Sequence, residues 1–173
     1  KKALDALHIE VKVKGVENLP SANQRTMFVC NHPLGGMDVL SACKAVEPAC
    51  AKGLLIPAND LLMQLGNIRE MLIPVNKVGG QSKDLLQKIN QAYASDKQLM
   101  FFPSGKVSRK HKDGIYDDEW KKNFIVKSVE YERNVIPIRI DAKNSAFFYG
   151  LAKWRAKLGI KLNLEMLFLV RET

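Results

Sequence analysis

Short apolar runs alternate with amphipathic segments along the whole chain, and this alternation restricts the fold more than any other feature of the sequence. The predicted strands cover residues 8–14, 26–30, 53–57, 71–75, 98–102, 135–140 and 162–170. The predicted helices cover residues 37–46, 60–65, 82–94, 120–133 and 145–158. Strands that alternate with helices favour an α/β fold, with a largely parallel mixed sheet covered by helices on both faces.

Length and composition fit one globular unit. The chain has 173 residues, of which 46% are hydrophobic, and we expect a single domain over residues 1–173 that is truncated at one or both ends. No apolar stretch approaches the length of a membrane span, and no secretory signal is recognisable. Three cysteines, an odd number, indicate a reducing compartment. A net charge of +9 suits nucleic acid, an anionic membrane surface, or an acidic protein or phosphorylated substrate.

A polar cluster lies between the strand 26–30 and the helix that begins at Met37. Its members are Asn31, His32, Gly35, Gly36 and Asp38. Ligands of open α/β sheets bind beyond the carboxyl ends of the strands, which is where His32 lies. A carboxylate on one imidazole nitrogen makes the other more basic, and Asp38 is placed to do this from the first turn of the helix. The pair is the minimal apparatus for deprotonating a hydroxyl. The alternative is a turn in which Asp38 caps the helix and His32 is structural.

A second cluster follows the strand 98–102. Pro103, Ser104 and Gly105 predict a turn with free backbone N–H groups. Four cations follow without an acid among them: Lys106, Arg109, Lys110 and Lys112. This chemistry suits a phosphate, and the alternative is a solvated basic loop. A third, weaker candidate is the turn around Asn76 and Lys77, where the next helix would begin at Ser82 and offer an anion site, or simply a turn.

Taken in order, these clusters resemble the motif blocks of the glycerolipid (lysophospholipid) acyltransferase family, which includes the 1-acyl-glycerol-3-phosphate acyltransferases. Asn31-His32 with Asp38 resembles the block Asn-His-x4-Asp, and residues 102–109 resemble Phe-Pro-Glu-Gly-Thr-Arg-Ser. Residues 73–77 resemble, more loosely, a strand that ends in Asp-Arg, and 135–138 resemble a Val-Pro-Val strand. The resemblance runs from about residue 11 to residue 169 and implies a glycerol-phosphate acyltransferase-like fold.

The match is closer to a bacterial branch often labelled hemolysin-like, which carries Asn-His-Pro-Leu-Gly-Gly-x-Asp and Phe-Pro-x-Gly-x-Val-Ser-Arg. Some of its members O-acylate the lyso forms of glycine or ornithine lipids. Residues 118–122 and 144–149 also resemble that branch.

The sequence departs from the wider family at four points. Five residues, not four, separate His32 from Asp38. Ser104 and Val107 stand where the family has Glu and Arg, and Lys77 stands where it has Arg. Arg109 or Lys106 would then make the contact with the headgroup, and these changes bear on the acceptor more than on the chemistry.

The resemblance implies an O-acyltransferase in which His32, oriented by Asp38, is the general base. The acyl donor would be a thioester of acyl carrier protein or CoA, the acceptor a lyso-lipid such as lysophosphatidic acid or a lyso-aminolipid. N–H groups near Ser104 and Gly105 would stabilise the oxyanion, and no metal or other cofactor is expected. The expected substrate-binding residues are Asn31, Gly35, Gly36, Asn76, Lys77, Ser104, Gly105, Lys106, Ser108 and Arg109.

The expected location is peripheral, on the cytoplasmic face of the inner membrane. Five Lys or Arg residues and no acid lie between Ala142 and Leu164, interleaved with aromatic residues, which favours a basic surface with aromatic anchors at a lipid interface. Alternatively, the aromatic side chains belong to the core and the cations are solvated.

Other classes of function compete with this interpretation. A thiol hydrolase would use Cys30 with His32, two residues apart. Cys43 and Cys50 lie seven apart, which is not a zinc spacing. The charge fits a module that binds nucleic acid or another anionic surface, but no recognition motif for nucleic acid is present, and we expect no nucleic-acid partner. A pseudoenzyme that only binds lipid remains the alternative suggested by Ser104 and Val107.

Overall fold

A computed structural model of the chain describes residue 4 and residues 9–58, 66–75 and 83–160. Its strands are β1 Thr26–Cys30, β2 Leu54–Ala58, β3 Leu72–Pro74, β4 Gln98–Phe101, β5 Arg109–Lys110, β6 Ile115–Tyr116 and β7 Asn134–Ile138. Its α-helices are α1 Gly36–Val46, α2 Lys83–Ala94, α3 Asn123–Glu130 and α4 Ala146–Lys157. Short 3-10 helices cover Val16–Asn18, Glu47–Ala49 and Gly66–Met71.

Five strands form one sheet in the order β3-β2-β4-β1-β7, and every described pair within it is parallel. β1 lies inside this sheet, with Met27 opposite Leu99 of β4 and Val135 of β7. All five residues of β1 are buried, as expected for a parallel strand covered on both faces. The predicted fold class is therefore confirmed, and the carboxyl ends of β1 and β4 lie side by side.

Each face of the sheet has its own apolar core. One core joins Phe28 of β1 and Met100 of β4 to Ala42 and Val46 of α1. The other joins Met27 and Val29 of β1 and Leu99 of β4 to α2 and α3; its helical members are Ile89, Ala92, Tyr93 and Phe124. Because successive strand residues point to opposite faces, one strand supplies both cores, and this anchors the loop that follows it.

Two polar side chains at the amino edge of the sheet, those of Gln98 and Arg133, are buried and hydrogen-bonded to the backbone. The amide of Gln98 accepts from the N–H of Thr26 at 2.8 Å and donates to the carbonyls of Gln24 and Ala49 at 2.9 and 3.2 Å. The guanidinium of Arg133 donates to backbone carbonyls at the end of α2 and the start of the next connection, those of Ala92, Tyr93, Ser95 and Lys97. These bonds satisfy carbonyls that a helix end leaves without intrahelical partners.

Some predicted elements differ from the structure. The described part of the predicted first strand, Ile9–Lys14, forms no strand, because alternation alone does not supply a neighbouring strand to pair with. The hairpin β5–β6 was not predicted, since its strands have only two residues each. The solvent-facing sides of α2 and α3 carry apolar side chains, since Leu86 and Val129 are 48% and 75% exposed. The helix 60–65, the strand 162–170 and the cap at Ser82 lie outside the described residues.

Candidate active site

The loop after β1 brings His32 and Asp38 together. Nδ1 of His32 lies 3.0 Å from Oδ2 of Asp38, with the ring N–H not aimed squarely at that oxygen. The Asp38 side chain is fully buried, whereas the His32 side chain is 17% exposed. The extra residue between them, relative to the Asn-His-x4-Asp block, therefore does not prevent contact. Since Asp38 contacts Nδ1, Nε2 is the nitrogen left to meet a substrate.

Backbone N–H groups hold the Asp38 carboxylate in place. Its Oδ2 accepts from the N–H groups of Leu34 and Gly35, both at 2.8 Å. Gly35 has φ 85°, a conformation that an L side chain rarely adopts, whereas Gly36 is the first residue of α1. The turn that brings Asp38 back to the imidazole therefore depends on Gly35. Oδ1 of Asp38 is buried without a hydrogen-bond partner among the described residues.

The loop after β4 closes on itself. The Ser104 hydroxyl donates to the carbonyl of Lys106 at 2.8 Å, and the N–H of Gly105 donates to the carbonyl of Phe102 at 2.9 Å. The expectation of a free N–H at Gly105, available to an oxyanion, is therefore wrong, because the tight turn, with φ 63° at Gly105, uses that donor internally. The same turn places Phe102 against His32, with ring centroids 4.6 Å apart.

The two loops are joined directly, and the predicted cations surround the second one. The N–H of Ser108 donates to the carbonyl of His32 at 2.8 Å. The guanidinium of Arg109 lies 5.8 Å from the ring centroid of Phe148 on α4, a cation–π contact. Lys106 is exposed, and its Nζ lies 3.5 Å from Oδ2 of Asp118. The loop that carries these two cations is therefore joined to the backbone of His32.

Asn31 has a structural contact that the sequence did not predict. Its side chain pairs with the backbone of Ile140, donating to the carbonyl at 2.9 Å and accepting from the N–H at 2.6 Å. The amide thus continues the pairing of β1 with β7 beyond the last paired residues, Cys30 and Ile138. Asn76 and Lys77, the third expected cluster, lie outside the described residues.

Sequence reasoning missed two polar residues that contact the site. The Asp117 carboxylate accepts from the N–H of His32, the hydroxyl of Ser108 and the indole N–H of Trp120. The amide of Asn144 donates to the carbonyl of Pro33 at 2.9 Å. Asp117 is 85 residues from His32, so no spacing rule connects them. A signal that could have found it is that Asp117 opens a run of three acids, Asp117, Asp118 and Glu119, directly before Trp120.

Cys30 is a poor nucleophile in this structure. It is fully buried at the end of β1, and this burial, helped by the nearby Asp38 carboxylate, raises the pKa of its thiol to about 12. A thiol with such a pKa is almost entirely protonated at neutral pH, and the thiolate is the reactive form. The geometry therefore opposes the thiol hydrolase interpretation.

A buried carboxylate in contact with a largely buried histidine, at the carboxyl edge of a parallel sheet and beside a basic loop, defines a candidate acid–base site of an α/β transferase. The sequence profile of a family described as "Acyltransferase" matches residues 3–173, nearly the whole chain, and the chain belongs to that family.

Two curated relatives are similar over the same stretch. Both are named lyso-glycine lipid O-acyltransferase, one from Phocaeicola vulgatus and one from Bacteroides thetaiotaomicron. Each is 41% identical over 169 residues, which is 98% of this chain but 60% and 62% of the respective relative. The chain thus spans about three fifths of the length of these proteins. No solved structure matches it significantly.

Proposed function

We propose that this chain transfers a fatty acyl group from a thioester of acyl carrier protein or CoA to a hydroxyl of a lyso-lipid. The observation that carries the proposal is the contact between His32 and the buried carboxylate of Asp38. In a family of acyltransferases, this pair is the group that can take a proton from an acceptor hydroxyl. The 41% identity to two lyso-glycine lipid O-acyltransferases makes a lyso-glycine lipid the first acceptor to test.

In the proposed reaction, Nε2 of His32 removes the proton of the acceptor hydroxyl while Asp38 holds the ring and stabilises the imidazolium. The alkoxide oxygen bonds to the thioester carbonyl carbon, and the resulting tetrahedral intermediate collapses with loss of the thiolate. The imidazolium returns its proton to that sulfur. The products are an ester and a free thiol. The atoms and protons of these steps balance without a metal or other cofactor.

The surroundings of His32 support an anionic acceptor. Lys106 and Arg109 lie within two residues of Ser108, whose N–H donates to the carbonyl of His32. A guanidinium and an ammonium both bind phosphate or carboxylate headgroups. These contacts, with Ser108, support the proposal that this loop recognises the headgroup. Ser104 supports this loop by closing its turn, through the bond from its hydroxyl to the carbonyl of Lys106.

The test is an acyl-transfer assay on the full chain with labelled acyl donors. Each donor, acyl-acyl carrier protein and acyl-CoA, is offered with lyso-glycine lipid, lyso-ornithine lipid or lysophosphatidic acid, and His32→Ala runs beside the wild type. We expect an O-acylated product from one lyso-lipid class, and a loss of at least about 10²-fold in the variant. Equal product from both proteins would contradict the assignment of His32. Lipid binding without any product would favour the pseudoenzyme.

We also propose that the chain acts peripherally at an anionic membrane surface, on the cytoplasmic face of the inner membrane. The support is the outer face of α4. Phe147, Trp154 and Leu158 are 59%, 55% and 54% exposed, and their spacing of seven and four residues places them on one helix face. The segment from Ala142 to Ile160 contains four Lys or Arg residues and no acid. Large apolar side chains with flanking cations complement anionic lipid.

The opposite face of α4 is directed at the site. Phe148 and Tyr149 are buried with Val107, next to Ser108 and Arg109. With its outer face on a bilayer, α4 would therefore lie between the lipid and residues 103–109, which we call the headgroup loop. None of the helices among the described residues is both long and apolar enough to cross a bilayer.

Sedimentation with vesicles tests this surface. We expect the protein to bind vesicles rich in phosphatidylglycerol more than phosphatidylcholine vesicles, with a fall of about tenfold in the binding constant for Trp154→Ser/Leu158→Ser. Leu86→Ser, which alters an equally exposed leucine on α2, is the matched control. Equal binding by all three proteins would contradict the proposal. Self-association that is lost in the double variant would identify the face as a contact between copies.

A further inference from the structure

The Asp117 cluster joins three parts of the chain around one carboxylate. It consists of Asp117, the backbone N–H of His32, the hydroxyl of Ser108 and the indole N–H of Trp120. Oδ1 accepts from Ser108 at 2.5 Å and Oδ2 from Trp120 at 3.0 Å. Both oxygens lie 3.1 Å from the N–H of His32. All three partners are hydrogen-bond donors, so they suit a carboxylate, whose two oxygens both accept, better than an amide or a hydroxyl.

The cluster and Asp38 contact different parts of His32. Asp38 contacts the imidazole ring, whereas Asp117 contacts the backbone of the same residue. The carbonyl of His32 is also fixed, because it accepts from the N–H of Ser108 at 2.8 Å. Ser108 is thus tied twice, through its N–H to His32 and through its hydroxyl to Asp117. His32 and the headgroup loop are therefore joined by hydrogen bonds at two atoms of Ser108.

This arrangement has a chemical consequence. A general base is effective only when it lies within hydrogen-bonding reach of the proton it removes, and a displacement of about 1 Å can cost about 10²-fold in rate. His32 lies beyond the last residue of β1, so ladder hydrogen bonds do not hold its backbone. Asp117 supplies that restraint from the segment that follows the hairpin β5–β6.

We propose that Asp117 is a positioning residue for acyl transfer, which fixes the distance between His32 and the headgroup loop through the His32 N–H and Ser108. The inference rests on the proposed function and adds a residue from outside the recognised motif blocks. Asp117 does not contact the substrate. Removal of the Asp117 carboxylate changes the alignment of the bound acceptor with His32 more than it changes the affinity for the acceptor.

Steady-state kinetics on Asp117→Asn and Asp117→Ala test this role. An amide can still accept from Trp120 and donate to the Ser108 oxygen, so Asn weakens the cluster and Ala removes it. We expect kcat to fall about threefold to tenfold for Asn and about tenfold to 100-fold for Ala, with KM for both substrates within about threefold. Asp113→Asn, at an exposed aspartate in the turn of the preceding hairpin β5–β6, is the matched control. A KM increase at constant kcat would overturn the proposal.

A second measurement distinguishes a loss of the Asp117–His32 contact from misfolding, and tests that contact independently of the proposed acyl transfer. The chain has three histidines, so ¹⁵N-histidine labelling gives three backbone amide signals, of which one is assigned by its loss in His32→Ala. We expect the His32 amide proton to move upfield in Asp117→Asn and in Trp120→Phe, which removes a single donor and keeps an aromatic ring. An unchanged signal in both variants would overturn the proposal. An inactive wild type with a shifted signal would instead contradict the proposed function and leave the contact established.

Discussion

Gln98 and Arg133 at the amino edge of the parallel sheet differ from His32 and Asp38 at its carboxyl edge in how their polar side-chain atoms are paired. At the amino edge, Gln98 and Arg133 are surrounded by backbone partners at hydrogen-bonding distance. At the carboxyl edge, Asp38 has one buried oxygen without a hydrogen-bond partner among the described residues, and His32 keeps Nε2 directed away from its carboxylate contact. The first arrangement stabilises the fold. The second leaves hydrogen-bonding capacity for a substrate, at some cost in stability.

Substitution of the carboxylate at the carboxyl edge should give the largest effect on chemistry. In Asp38→Asn, the amide no longer stabilises the imidazolium or fixes the ring tautomer, so we expect turnover to fall about 10²- to 10⁴-fold. Asp96→Asn, an exposed aspartate at the amino edge, is the matched control and should keep wild-type turnover. The measurement is kcat in the acyl-transfer assay. Retention of more than a tenth of wild-type kcat by Asp38→Asn would remove the functional contrast between the edges.

Substitution of the glutamine at the amino edge should affect stability instead. Gln98→Met leaves the N–H of Thr26 and the carbonyls of Gln24 and Ala49 without their side-chain partner, and we expect a loss of about 2–4 kcal/mol in the free energy of unfolding. Gln87→Met, at an exposed position on α2, should change it by less than about 0.5 kcal/mol. Urea denaturation measures both. A Gln98→Met protein of wild-type stability would show that these hydrogen bonds do not stabilise the edge.

Cys30 lies at the carboxyl edge but belongs to the core, so it distinguishes a position at that edge from a role in the reaction. We expect Cys30→Ser to keep turnover within about threefold of wild type, since a buried, protonated thiol takes no part in the reaction. A loss of at least about 100-fold would revive the thiol hydrolase alternative.

The raised thiol pKa also predicts a pH dependence. Burial raises the pKa of Cys30 to about 12 and that of Cys43 to about 11, from 9.0. The folded state therefore holds these protons more tightly than the unfolded state. The stability that results is fully present below pH 9 and is lost as the pH rises towards 11–12. Stability measured between pH 9 and 11 should fall less steeply in Cys30→Ala than in wild type. Parallel curves would contradict this.

The elements that sequence alone predicts well are those whose signal is local. The apolar runs gave β1, β3, β4 and β7 to within one or two residues, because a buried parallel strand is a continuous apolar run. The pairing of His32 with Asp38 was also accessible, since both lie at the ends of adjacent elements. By contrast, the strand predicted around Ile9–Lys14 was wrong, because pairing depends on a neighbour elsewhere in the chain.

The contacts that the sequence did not predict join distant parts of the chain. Asn31 pairs with Ile140 across 109 residues, and Asp117 reaches His32 across 85. The N–H of Gly105 was expected to be free, but it donates within its own turn. The sequence Pro-Ser-Gly predicts a turn and does not indicate which backbone donors the turn uses. The contacts of Asn31 and Asp117 depend on which loops the sheet order brings together, and the order β3-β2-β4-β1-β7 has no signature in hydropathy.

Two substitutions measured in two assays test the contrast between the edges most directly. His32→Ala and Arg133→Met are each assayed for turnover, corrected to the folded fraction, and for the free energy of unfolding. We expect His32→Ala to lose at least about 10²-fold in turnover, with its free energy of unfolding within about 1 kcal/mol of wild type. We expect Arg133→Met to lose about 3 kcal/mol in the free energy of unfolding, with turnover within about threefold of wild type. Wild-type turnover in His32→Ala, or equal loss of stability in both variants, would contradict that contrast.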